Sequence, residues 1–252
     1  MTDPSSADTT TDAFLAGRLL LKQPKRGHRA GHDAILLAAA TQVKAGDRVV
    51  EFGAGVGAAG LALARRAGAI DLTLIEIDDG LAGLARDNAK DNGIAASVLT
   101  FDVESAASFW VKAGLGPDSA DAVLMNPPFN DPARHRVPND PDKRRAHMAS
   151  ETTLEVWVHA ARRVLKPGGV LTLIWRADGL SDVVAALGRG FSALAVLPIH
   201  PDLSSAAIRV VVRASKGGKA PLEIRPALVL NDAAGQPTAQ VRAILEGGAL
   251  FT

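Results

Sequence analysis

From Asp47 onward the sequence alternates short β-branched runs with stretches of helical spacing, and this rhythm constrains the fold more than any other feature. Arg48 to Phe52 stops at glycines, Ala58 to Ala67 has helical spacing, and Asp71 to Ile77 is the next apolar run. Asp79 to Asn92 reads as a helix ending in an Asn-Gly stop signal. Ser97 to Asp102 and Asp121 to Met125 continue the strands, and an amphipathic helix from about Glu151 to Leu165 leads through Lys166-Pro167-Gly168-Gly169 into a strand from Val170 to Trp175. Strands separated by helices pair in parallel through right-handed crossovers, so the pattern predicts a doubly wound, mostly parallel α/β sheet. After Gly179 the rhythm changes. Ala193 to Ile199 and Ala206 to Val212, joined around His200-Pro201-Asp202, predict an antiparallel hairpin closing the sheet edge, with another strand from Leu222 to Leu230. No repeat or linker divides the chain, so a single domain is expected over residues 13–252, with an N-terminal extension over residues 13–46. Residues 1–12 read as a disordered acidic tail.

Composition narrows the chemistry. Lys plus Arg (28) against Asp plus Glu (27) leaves a net charge of +1, so a polyanionic partner must be held by local patches. The absence of cysteine removes disulfides, thiolate-bound metals and thiol nucleophiles together. Neither a signal peptide nor a membrane span is legible, and a cytoplasmic protein is the expectation.

Glu51-Phe52-Gly53-Ala54-Gly55-Val56-Gly57 directly follows a strand and opens a helix. Glycines at such a junction let the chain turn tightly and let a ligand lie against bare main chain. The spacing is Gly-x-Gly-x-Gly rather than the dinucleotide Gly-x-Gly-x-x-Gly. Glu76 ends the second strand 23 residues after Gly53, where a carboxylate can accept the hydroxyls of a ribose. Asp102 ends the third strand 26 residues later, and Asn126 ends the fourth after 24 more. Polar strand ends at a near-constant pitch line one crevice outside the carboxyl edge of the sheet.

Asn126-Pro127-Pro128-Phe129 is the sharpest motif. Two prolines fix φ and remove two donors, which makes the loop stiff. The Asn126 side-chain carbonyl and the Pro127 backbone carbonyl can then aim two acceptors at one amino group, while Phe129 offers a flat face for stacking. That arrangement suits a planar sp² nitrogen. His28 and His32 stand four apart, but the glycines beside them oppose a helix and no carboxylate completes a set, so no metal site is expected.

Together these motifs resemble those of the S-adenosylmethionine-dependent amino-methyltransferases. Within that group the chain is similar to the bacterial family that methylates N6 of an adenine beside the anticodon of a valine tRNA. The likeness extends to Lys25-Arg26-Gly27-His28-Arg29-Ala30-Gly31-His32-Asp33, Lys166-Pro167-Gly168-Gly169, Arg176-Ala177-Asp178 and the run from Pro198 to Arg209, although His32 stands where the family usually carries Thr. The resemblance implies a class I, Rossmann-like methyltransferase fold and S-adenosylmethionine as cofactor. It implies that Gly53, Gly55 and Gly57 approach the methionine part, with Gly31 and Asp33 wrapping its end and Glu51, which opens the motif, also counted among the cofactor-binding residues. Glu76 with Ile77 would take the ribose, Asp102 and Val103 the adenine edge, and Asn126 would border both cofactor and target. Related families with a similar motif modify a glutamine amide in release factors or a guanine amine in ribosomal RNA, and a non-catalytic RNA-binding relative is a third alternative. For tRNA as partner, the candidate phosphate contacts are Lys22, Lys25, Arg26 and Arg29 before the first strand, and Arg134, Arg136, Lys143, Arg144 and Arg145 after the Asn-Pro-Pro loop. A third basic group, Arg209, Arg213, Lys216, Lys219 and Arg225, reads equally well as solvated surface.

Overall fold

The computed structural model describes residues 9–27, 29–128, 141–188 and 190–250, with the backbone alone for 141–152. A sheet of nine strands forms the centre. Its parallel heart is β3 (Arg48–Phe52), β4 (Asp71–Glu76), β5 (Ala96–Thr100), β6 (Ala120–Met125) and β7 (Leu165–Arg176), ordered β5-β4-β3-β6-β7. Of these, β3, β4, β6 and the second half of β7 are buried on both faces, which explains why they read as near-continuous apolar runs, and β5 at the edge is only partly buried. Successive side chains go to opposite sides: Val49, Leu74 and Leu124 pack under α1 (His32–Ala40), α2 (Ala58–Ala67) and α3 (Asp79–Asp91). Val50, Ile75 and Met125 pack with α4 (Ala107–Lys112), α5 (Pro141–Val164) and α6 (Leu180–Leu187).

Beyond β7 the predicted antiparallel pair is present as β8 (Phe191–His200) and β9 (Arg209–Lys216). It does not close the edge in sequence order. β9 inserts antiparallel between β7 and β8, and β8 is itself flanked by two short parallel strands, β10 (Glu223–Ile224) and β11 (Leu228–Val229), in place of one strand over 222–230. A last helix, α7 (Ala239–Leu245), is capped by Thr238 and buries Val241 and Ile244 beside α1. Two boundaries also move. The long helix begins at Pro141 rather than Glu151, and the strand after it begins at Leu165. The register jump between Ala120 and Ala122 opposite Leu165 and Val170 makes Lys166-Pro167-Gly168-Gly169 an excursion within the ladder.

The N-terminal extension corrects the sequence reading most. Thr9 to Asp12, expected to be part of a disordered tail, belong to β1 (Thr9–Phe14), which pairs antiparallel with β2 (Leu19–Pro24) in a separate hairpin. Leu19, Leu21 and Gln23 alternate inward on β2. Its other edge meets a helix instead of a strand. Asn88 of α3, fully buried, accepts from the Lys22 N–H at 2.7 Å and donates to the Lys22 carbonyl at 3.0 Å. One turn later Asn92 does the same to Leu20, at 3.0 and 2.7 Å. Two amides at i and i+4 thus complete a strand edge that would otherwise be left open. Asn88 also donates to the carbonyl of Val56, in the glycine turn, at 3.0 Å.

Candidate active site at the carboxyl edge of the sheet

Strand register brings the motif residues to one level. Phe52 lies opposite both Ile75 and Met125, so the residues that follow, Gly53, Glu76 and Asn126, leave three adjacent strands side by side. Adjacent strands stand about 4.8 Å apart, so the row from Asn126 to Glu76 spans roughly 10 Å. The strand order reverses on either side of β3, which is where a doubly wound sheet opens a crevice.

The glycine turn is held in left-handed backbone, with φ of 63°, 56° and 84° at Gly53, Gly55 and Gly57. Two of these glycines serve opposite needs. A Cβ on Gly53 would lie 2.6 Å from the Trp157 ring, so this glycine lets α5 close onto the turn. Around Gly55 nothing lies within 4 Å of such a Cβ, so its bare backbone faces open space and a ligand can approach it.

Glu76 is buried and takes three backbone donors. Its Oε2 accepts from Gly55 N–H at 2.7 Å, and its Oε1 accepts from Ile77 and Asp78 N–H, both at 2.9 Å. The carboxylate therefore sets the shape of the glycine turn, and Oε2 keeps a lone pair for a further donor. Ile77 beside it is 63 % exposed, a large apolar face at the end of a strand. Asp102 braces its own turn by accepting from Glu104 N–H at 2.8 Å, and Val103 is buried. Asn126 presents the most informative atom. Its Oδ1 is buried and has no hydrogen-bond partner among the described residues. A buried carbonyl without a donor costs about 1–3 kcal/mol, so this oxygen is arranged for a donor that the described residues do not supply. Pro127 is buried and Pro128 exposed, while Phe129 lies outside the described residues.

Glu51 points beneath the turn rather than into the crevice. Its Oε2 accepts from Gly60 N–H at 2.7 Å, and burial outweighs that bond, pushing its carboxyl up to about 8, with the charge of Glu76 adding to the shift. Between pH 4.5 and 8 the folded chain keeps a proton that the unfolded chain has lost, so stability falls as pH rises across that window. Glu51→Gln keeps the acceptor for Gly60 and removes the ionisation. The variant is expected to melt at a higher temperature than the parent at pH 8.5 and at nearly the same temperature at pH 4.5, as read by calorimetry.

Other expected site residues are placed less simply. Gly31 caps α1 and is exposed. Asp33 in the first turn of α1 pairs with Arg209 of β9 at 3.0 Å, a partner 176 residues away that sequence spacing gave no means of finding. Among the basic candidates, Lys22 is committed to Asp91 at 2.8 Å, which raises its pKa, and Arg29 is taken up by Asp12, Thr10 and the Pro24 carbonyl. These two serve the hairpin. Arg26 lines an open cleft of about 530 Å³ between the hairpin and the start of α3, with Thr9, Asp78 and Asp87. Arg134 and Arg136 lie outside the described residues, as do the side chains of Lys143, Arg144 and Arg145 on α5. In the third basic group, Lys216 pairs with Asp118 and Arg225 with Glu223. Among the described residues no three His, Asp or Glu side chains converge as a metal set would, and no helix is long and apolar enough to cross a membrane.

Comparison with known proteins identifies the family. Residues 31–198 match the model of the methyltransferase small domain. The chain is 32 % identical over 186 residues to a tRNA1(Val) (adenine(37)-N6)-methyltransferase of Porphyromonas gingivalis, covering 69 % of this chain and 68 % of that protein. It is 25 % identical over 197 residues to a release factor glutamine methyltransferase of Chlorobaculum tepidum, covering 75 % and 66 %. Among solved structures, one described as a predicted O-methyltransferase from Agrobacterium tumefaciens superposes with a TM-score of 0.73 at 31 % identity, covering 87 % of this chain and 98 % of that one.

Proposed function

The chain belongs to the methyltransferase small-domain family of S-adenosylmethionine-dependent class I enzymes, and from that premise we propose that it methylates the N6 amine of an adenine in tRNA. The observation that carries this reading is the buried Oδ1 of Asn126, unpartnered among the described residues, which stands before two prolines at the level of the glycine turn. An O-methyl acceptor would need a base beside it, and an amide oxygen is none. An exocyclic amine brings two N–H donors instead, and Asn126 Oδ1 and the Pro127 carbonyl accept one each.

The residues present fit S-adenosylmethionine. Gly55 offers open backbone, Glu76 Oε2 keeps a lone pair for a ribose hydroxyl, and Ile77 offers an apolar face for a base. When bound, that cofactor supplies an activated methyl group. The chain's own work is placement. The two acceptors draw the amine's lone pair out of the ring π system and aim it along the crevice, and Phe129 stacks on the base. Once the nitrogen is alkylated its proton is acidic enough to pass to water, so no side-chain base is required. An adenine in a folded RNA must first swing out of its stack, which costs least in a loop. Arg134, Arg136, Lys143, Arg144 and Arg145 follow the Asn-Pro-Pro loop in sequence and, with Lys25 and Arg26, are the proposed phosphate contacts.

Mass analysis of nucleosides from bulk tRNA, with and without the gene, tests the proposal. N6-methyladenosine is expected to vanish from one tRNA on deletion. Unchanged tRNA together with a lost methyl on a release-factor glutamine would overturn it. RNA affinity is expected to fall with salt at a logarithmic slope of about −0.7 to −0.9 per phosphate engaged, and a flat response in a filter-binding titration would remove the basic residues from the argument.

A further inference from the structure

The loop between β8 and β9 stands on the same rim as Asn126. Met125 lies opposite Leu173 on β7, and Arg176, three residues further along β7, lies opposite Arg209 at the start of β9. The loop residue Ile208 is thus about 10 Å outward of Asn126 and two strands, about 10 Å, to its side. Its backbone is braced at Pro201, Ser204, Ser205 and Ile208. Asp202 accepts from the N–H and hydroxyl groups of both Ser204 and Ser205 at 2.7–2.8 Å. The His200 ring contacts the Ser205 carbonyl at 2.8 Å, Asn231 donates to the Pro201 carbonyl, and Ile208 N–H bonds back to Ile199. From this rigid frame two large apolar side chains project into solvent: Leu203, 82 % exposed, and Ile208, 45 % exposed.

A scattered exposed leucine needs no explanation. Here the frame is ordered by its own hydrogen bonds, so contact with a partner costs little further ordering. The partner must arrive at this rim, because the target nitrogen does. An RNA that gives up one base to the crevice leaves neighbours with an uncovered face, and an apolar side chain at that height covers it, as wedge residues do in nucleic acids that are opened or bent. We infer that Leu203, in the β8–β9 loop whose base Ile208 closes, packs against a nucleobase adjacent to the extruded adenine and determines which RNA loops are accepted. This rests on the tRNA reading above.

The test compares the full chain with Leu203→Ala, Leu203→Met and Asp202→Ala. Two probes are used: an RNA hairpin with the target adenine in its loop, and the unstructured single strand of the same loop. Leu203 is too exposed for its truncation to disturb folding, and S-adenosylmethionine affinity is expected to stay within twofold. On the hairpin, Leu203→Ala is expected to lose on the order of tenfold or more in kcat/KM. Leu203→Met restores most of it, and Asp202→Ala, which frees the turn, raises KM. On the single strand the Leu203→Ala loss is expected to be under threefold. A 2-aminopurine placed next to the target reports the contact directly, its fluorescence differing between the parent complex and Leu203→Ala. Equal hairpin kinetics and equal fluorescence for parent and Leu203→Ala would overturn the inference while leaving the tRNA reading in place. If the parent methylates neither RNA, the tRNA reading fails and the inference falls with it.

Discussion

Asn126→Ala is expected to cut methyl transfer by about a hundred- to a thousandfold, the range seen when one preorganised polar contact to a reacting centre is removed. Affinity for S-adenosylmethionine is expected to stay within a few-fold. The reasoning is local. The Asn126 Oδ1 makes no bond to the described residues, so its removal orphans none of them, and truncation relieves a buried acceptor that lacks a donor there. Stability should therefore hold or rise slightly. What is lost is one of two acceptors that orient the amine, with the Pro127 carbonyl left to act alone. Calorimetric titration of the cofactor beside a radiometric transfer assay separates the two effects. Loss of cofactor affinity in parallel with activity would show that the amide faces the donor rather than the acceptor.

Glu76→Ala is expected to do the reverse: to weaken cofactor binding by a hundredfold or more and to lower the melting temperature by roughly 5–10 °C. Three backbone N–H groups, of Gly55, Ile77 and Asp78, lose their acceptor together. At about 1–3 kcal/mol for each donor left dry, and with water replacing part of the loss, a net cost of about 2–4 kcal/mol follows, which in a chain of this size is a shift of several degrees. Glu76→Gln keeps one acceptor oxygen but turns an NH₂ toward donors, so it is expected to fall between. Should Glu76→Ala bind the cofactor normally, the carboxylate would be a purely structural brace.

The parallel half of the fold was legible because β3, β4, β6 and much of β7 are buried on both faces and read as mainly apolar runs, while the crevice announces itself at or just past each strand's end by Gly53, Glu76, Asp102 and Asn126. The hairpin of β1 and β2 was not. Thr9 to Phe14 are mostly polar, and the partner that satisfies the far edge of β2 is a pair of amides on α3, some 66 to 72 residues away. No local pattern encodes such a pairing. The strand-end position of Glu76 was readable, but its three backbone donors were not, since main chain carries no sequence signature. Basic clusters hide their partners in the same way. A count of lysines and arginines cannot tell that Asp91 and Asp12 have already claimed Lys22 and Arg29.

The double amide clasp of Asn88 and Asn92 has a thermodynamic corollary. A slip of the hairpin by one residue would break four bonds at once and turn Leu19 and Leu21 toward water, so its alignment is all or none. Because the same Asn88 amide also secures Val56, order in the first two strands and order in the donor-facing turn are linked functions: whatever tightens one must, by reciprocity, tighten the other.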